Sequence, residues 1–89
     1  MKKESPDSVC GSALNNIKFK IALLPEDHTY VLIEGDKDTF KFLARLLEAQ
    51  AEANDCGFQI HPKSAGRARF KKGSSLGLYL HRLPCVEKR

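Results

Sequence analysis

Residues 36–54, DKDTFKFLARLLEAQAEAN, form the one long helical pattern in an 89-residue chain, and short strand-like runs flank it on both sides. Phe40, Leu43, Ala44, Leu47 and Ala51 recur at helical spacing and make an apolar stripe. Phe42, Leu46, Ala49 and Ala53 make a second band beside it. At about 100° per residue the two bands cover more than half the circumference, and Lys37, Asp38, Lys41, Arg45, Glu48 and Glu52 take the rest. Lying on a single sheet uses one stripe only. The second band therefore needs its own cover. Either the lead-in or the 63–75 loop folds over it, or a partner surface or a second copy does, since monomers seldom leave a large apolar patch bare. On that ground Phe42 and Leu46 are candidate protein-binding residues.

The segments around this helix read as strands. Residues 1–16 mix Ser, Asn, Gly, Pro and charge without periodicity and are expected to be a flexible lead-in. From Ile17 to Leu24, Ile17, Phe19, Ile21 and Leu23 alternate with Lys18 and Lys20, the pattern of a half-buried strand. Pro25–His28 is a turn, and Thr29–Glu34 is a second strand, apolar on both sides and so expected at a central position. Gly35 ends that strand, Asp36 or Asp38 caps the helix, and Gly57 is expected to leave it in the left-handed conformation. Phe58–His61 is a third strand closed by Pro62, residues 63–75 are loop, and Leu76, Leu78 and Leu80 mark a fourth.

The expected fold is therefore α+β with order ββαββ: a four-stranded, mainly antiparallel sheet with one helix packed on one face. One domain spans 17–84, between the lead-in and a frayed end at 85–89. Its inward set is Ile17, Phe19, Ile21, Leu23, Phe58, Ile60, Leu76, Leu78 and Leu80, with Phe40, Leu43, Leu47 and Ala51 from the helix.

The charge is uneven. The net value is +4, but from His61 onward eight basic residues stand against Glu87 alone, a local charge of +7 over a remainder of −3. Such a split suits an anionic partner or simply a solvated loop and tail. The longest apolar runs, Ile21–Leu24 and Val31–Ile33, fall far short of the roughly 20 residues of a membrane span, so no membrane partner is expected. Met1-Lys2-Lys3 begins like a secretory signal, but Glu4, Ser5, Pro6 and Asp7 follow where an apolar core belongs, which predicts a cytoplasmic protein. Cys10, Cys56 and Cys85 are odd in number and widely spaced, which predicts three free thiols and no zinc site.

Little chemistry is written in the remaining residues. Lys18, Lys20, Gln59, His61, Tyr79 and His81 would share the outer face of one sheet, beside a loop carrying Arg67, Arg69, Lys71 and Lys72. Basic residues with an aromatic make a possible platform for single-stranded nucleic acid, and Lys18, Lys20, Arg67, Arg69, Lys71, Lys72 and Tyr79 would carry it. An ordinary polar outer face has the same composition, and the RNA-recognition signature is missing. His61 and His81 on neighbouring strands would need a third acidic or thiolate ligand to hold a metal or to work as an acid–base pair. No nucleophile–base order, phosphate loop or paired acid motif occurs, so no catalytic residue, metal or cofactor is expected.

Gly35-Asp36 ahead of the helix, then His61-Pro62, Ser75, Leu78, Leu80 and Arg82 after it, give the chain a family likeness. Over about Val31 to Leu83 it resembles a small family of predicted immunity proteins from bacterial polymorphic toxin systems. The family's pattern has an acid before the proline, where this chain has His61, and the 63–75 loop is more basic here than that pattern. The resemblance implies a non-enzymatic cytoplasmic α+β protein that binds and neutralises a toxin domain. Asp36, His61, Ser75 and Arg82 would be its contact or structural residues. Against a cationic nuclease the chain's basic charge would be unfavourable.

Overall fold

A computed structural model describes residues 5–13, 16–64 and 66–85 of the chain. In chain order they form helix α1 (Pro6–Ser12), strands β1 (Lys20–Leu23) and β2 (Val31–Glu34), helix α2 (Lys37–Ala51) and strand β3 (Gly57–Ile60). A 3-10 turn (Arg67–Arg69) and strand β4 (Leu78–His81) complete them. The class is α+β, but the strands make two separate antiparallel hairpins, β1–β2 and β3–β4, rather than the expected four-stranded sheet. In the first, Leu23 faces Val31 and Ile21 faces Ile33; in the second, Gly57 faces His81 and Ile60 faces Leu78.

What separates the hairpins is the long loop. It runs along the second edge of β1: Phe19 N donates to Arg69 O at 2.8 Å, Lys71 N to Phe19 O at 2.7 Å, and the amides of Ser75 and Leu76 to Ile21 O. Phe70 thereby pairs with Phe19 in a parallel bridge. The backbone groups that would have paired β1 with another strand are used up by the loop, because buried amides and carbonyls must be paired with something. β2 is an edge strand as a result, not the central strand expected.

Residues 6–12 correct the expectation of a flexible lead-in. Ser5 caps α1 by accepting from Ser8 N, Pro6 occupies the first turn, where a missing N–H is harmless, and Asp7 adds a favourable negative charge. Val9 is fully buried, and α1 packs against α2. Residues 1–4 and 14–15 of the expected lead-in lie outside the described residues.

The core follows from that contact. Phe19 stacks on Phe42 with centroids 6.2 Å apart and meets Phe70 edge-on at 4.9 Å. Ile17, Ile21, Leu43, Leu46, Ala49 and Ile60 close around them, and Phe58, Leu76, Leu78 and Leu80 pack against the cluster half-buried. Most of the expected inward set is there. Four members are not: Leu23 is 42%, Phe40 50% and Leu47 54% exposed, and Ala51 is exposed too. The helix has turned its second band inward, because α1 and the loop offer that band more apolar surface than a lone sheet face would. Each large side chain so buried contributes about 1.5–3 kcal/mol.

The last expected features divide. Asp36 caps α2, its Oδ1 accepting from Thr39 N at 2.8 Å, and Thr39 Oγ1 donates to Lys18 O, tying the helix start to β1. Gly57 is an ordinary strand residue; positive φ occurs at Gly66 (82°) and Gly73 (98°). At Gly66 a Cβ would also sit 2.5 Å from Ile60 Cγ2, so both conformation and packing demand glycine there. Cys85 does not belong to a frayed end, since it is disulfide-bonded to Cys56 with Cα atoms 5.5 Å apart. The expectation of three free thiols therefore fails for two of them. Cys10 is free, and burial pushes its thiol above the ordinary value. The Leu83–Pro84 peptide is cis, and 86–89 lie outside the described residues.

Candidate interaction surface

The sequence-predicted residues scatter over several surfaces, and some leave the surface altogether. Phe42 (3% exposed) and Leu46 (0%) are core residues and not partner contacts: of the two covers expected for their band, the lead-in and the loop supply it, through α1 and Arg69. Arg69 was expected in a nucleic-acid-binding loop; its guanidinium instead donates to the carbonyls of Ile17 (3.1 Å), Cys10 (2.8 Å) and Ala13 (3.0 Å). It lies 5.7 Å from the Phe42 ring centroid as well. A planar five-donor cation suits this junction, where several carbonyls converge beside an aromatic face.

Arg82 works at the far end of α2. Its Nη1 donates to the carbonyls of Ala53 and of Gln50, the latter shared with the amides that close the helix, and a cation is favourable at that negative end. Ser75 is exposed and its amide is bonded to Ile21 O. Asp36 is exposed and held below the ordinary carboxylate value, first by the Thr39 amide, then by the Thr39 side chain, with Lys71 adding a smaller pull. Asp36 and Arg82 thus have structural side-chain bonds to account for them, whereas Ser75 is held through its backbone alone. His61 is exposed, its Nδ1 accepting from Lys63 N.

His61 and His81 do not meet. The β3–β4 register sets His81 opposite Gly57, whereas His61 follows Ile60 at the other end of the hairpin, about 13 Å away at strand rise. Among the described residues no group of His, Cys, Asp and Glu could hold a metal ion. His61 and Tyr79 line a shallow cleft of about 290 Å³ with Gln59 and Ser64. Tyr79 is 65% exposed, packs edge-on against His81 at 6.5 Å, and lies across Gly57, where a Cβ would stand 2.7 Å from its Oη.

Two groupings remain that could receive something. The first is cationic. Stitching of the loop to β1 brings Lys71, Lys72 and Gly73 beside Lys18 and Lys20, with Lys20 Cε 3.3 Å from the Cβ position of Gly73. Arg67, in the 3-10 turn, is exposed as well. Tyr79 belongs to the other hairpin, so the expected single outer face does not exist. The second is apolar. Leu23 (42% exposed), Val31 (59%) and Ile33 (38%) share one face of the first hairpin, with Tyr30 (61%) at its turn end, and among the described residues nothing pairs with the outer edge of β2.

Among the described residues one buried polar atom is unexplained. Gln50 Nε2 donates to Cys56 O at 2.7 Å and Asp55 O at 3.3 Å, bracing the turn after α2, while its Oε1 has no partner. No helix of the described residues is long and apolar enough to cross a membrane. No protein-family model, no curated protein and no solved structure matches this chain.

Proposed function

We propose that the chain is a small non-enzymatic protein-binding module that takes an extended segment of its partner along β2, in the manner of a toxin-neutralising immunity protein. The observation that carries this reading is the hairpin face: Val31 and Ile33 are exposed on β2, whose outer edge no described residue pairs, and Leu23 shares their face from β1. An added strand would satisfy the bare amides and carbonyls of β2, and its side chains would flank Val31 and Ile33. Inhibition by such a protein requires a complementary surface and no reacting group.

The test is titration of the purified chain with any toxin domain encoded beside its gene. A stoichiometric complex that silences the toxin and is lost in the Val31→Lys/Ile33→Lys variant supports the proposal. A folded chain that ignores every toxin domain encoded beside its gene defeats it.

The second reading is a nucleic-acid-binding domain using Lys18, Lys20, Lys71 and Lys72, favoured by their convergence along β1. Binding to mixed-sequence single strands that falls steeply between low and physiological salt would support it, and no binding at low salt would remove it. The Cys56–Cys85 bond weighs against the cytoplasmic location expected from the sequence, because structural disulfides persist mainly in oxidising compartments.

A further inference from the structure

Helix α2 carries a second apolar line that the described residues leave uncovered. Phe40 is 50% and Leu47 54% exposed, and Ala44 and Ala51 on the same line are exposed as well. Their intervals of four, three and four residues are the spacing of a coiled-coil seam, and they fall within about 60° of arc. On one side the line borders Leu43 and Gln50, both buried in the chain's own core. On the other side lie Lys37, Lys41, Glu48 and Glu52, all exposed. That flank is basic in its first half and acidic in its second.

We propose that this line is the contact between two copies of the chain, packed α2 against α2 in antiparallel fashion about a two-fold axis between Ala44 and Leu47. Two features of the sequence order select that occupant. The first is size. With the axis there, Phe40 meets the partner's Ala51 and Leu47 meets the partner's Ala44, large against small at every layer. A parallel pair would set Phe40 on Phe40 and Ala44 on Ala44, which crowds one layer and leaves a gap in the next. The second is charge. In an antiparallel pair the same flanks of the two helices meet, so Lys41 lies between the partner's Glu48 and Glu52, and Lys37 lies near the partner's Glu52. An isologous contact demands this kind of self-complementarity, and a foreign helix would have no reason to match it.

Helix α2 has 15 residues and is about 22 Å long, so the pair buries less than the roughly 1,600 Å² of a standard stable interface. The association is accordingly weak, with a dissociation constant of about 100 µM or above. It uses a different face from β2 and is independent of partner binding there.

Sedimentation velocity from about 10 µM to about 1 mM tests the proposal, because a weak dimer must appear within that range by mass action. The wild type should shift from monomer toward dimer, and Leu47→Asp should stay monomeric with an unchanged circular dichroism spectrum. Lys41→Glu and Glu48→Lys should each weaken the dimer roughly tenfold at low salt, and the double variant Lys41→Glu/Glu48→Lys should recover it. A wild type that is monomeric at about 1 mM, or a Leu47→Asp variant that still dimerises, overturns the proposal. Failure of the double variant to recover overturns the antiparallel arrangement.

Discussion

The Arg69 guanidinium rests 5.7 Å from the centroid of Phe42, and through that contact the basic loop closes over helix α2. The same guanidinium holds three carbonyls of the N-terminal segment. Arg69→Ala leaves those carbonyls short of donors and removes the cation from the ring, at a cost of about 2–4 kcal/mol. Arg69→Lys should recover only part of it, since an ammonium lacks the planar fork. Urea unfolding measures both. Cys10, whose carbonyl is one of the three, should also react faster with a thiol reagent in Arg69→Ala. An unchanged unfolding midpoint would show that the clamp is decorative.

The two bands of α2 should answer mutation in opposite ways. Phe42→Ala empties a site between Phe19 and Arg69 and should cost about 3–5 kcal/mol. Leu47→Ala, at a position 54% exposed, should change stability by less than about 1 kcal/mol. Chemical denaturation of the two variants side by side decides which face is inward.

Reduction should loosen the chain. The Cys56–Cys85 bond spans a sequence separation of 29, and cross-linking across such a loop stabilises by about 3–4 kcal/mol in the chain-entropy account. Wild type in reductant and the Cys56→Ser/Cys85→Ser variant should lose similar amounts, and the variant should be indifferent to reductant. Equal wild-type midpoints with and without reductant would contradict this.

Acid should weaken the start of α2. The Asp36 carboxyl sits below its ordinary value of 3.8, chiefly through the Thr39 amide. With the folded value depressed, the unfolded chain binds the proton more readily. The contribution is therefore present in full above 3.8 and is lost as pH falls through the lower folded value. The stability gap between wild type and Asp36→Ala should shrink over that acid window and stay constant above it. Asp27, held down by the Thr29 hydroxyl and amide, should behave alike in the β1–β2 turn. A gap that does not change with pH would show that the caps do not titrate with folding.

Local chemistry was readable in the sequence wherever one residue decides the outcome. The Asp36 cap, the Pro25 turn, the stop at Pro62 and the places of the four strands depend on neighbours a few positions away, and all are present. The inward face of α2 was not readable, because periodicity reports a period and both lines of the helix share it. Only α1 breaks the tie. Its start was written plainly as Ser5-Pro6-Asp7, yet a seven-residue helix has too few turns to show a stripe. The disulfide was out of reach for a different reason: Cys85 comes near Cys56 only because β4 returns antiparallel to β3. Arg69 and Arg82 look like loop and strand-end charge in sequence, and only the convergence of distant carbonyls shows what they hold.

Arg82 and Cys85 both fasten the stretch from Gln50 to Cys56, reaching it from about thirty positions downstream. A nascent polypeptide halted at His81 would possess both hairpins and every large core side chain, while the tail of its long helix stayed unlatched. Residues 82–85 are therefore a latch on α2, and a protease that clips between His81 and Cys85 should undo the helix from its far end.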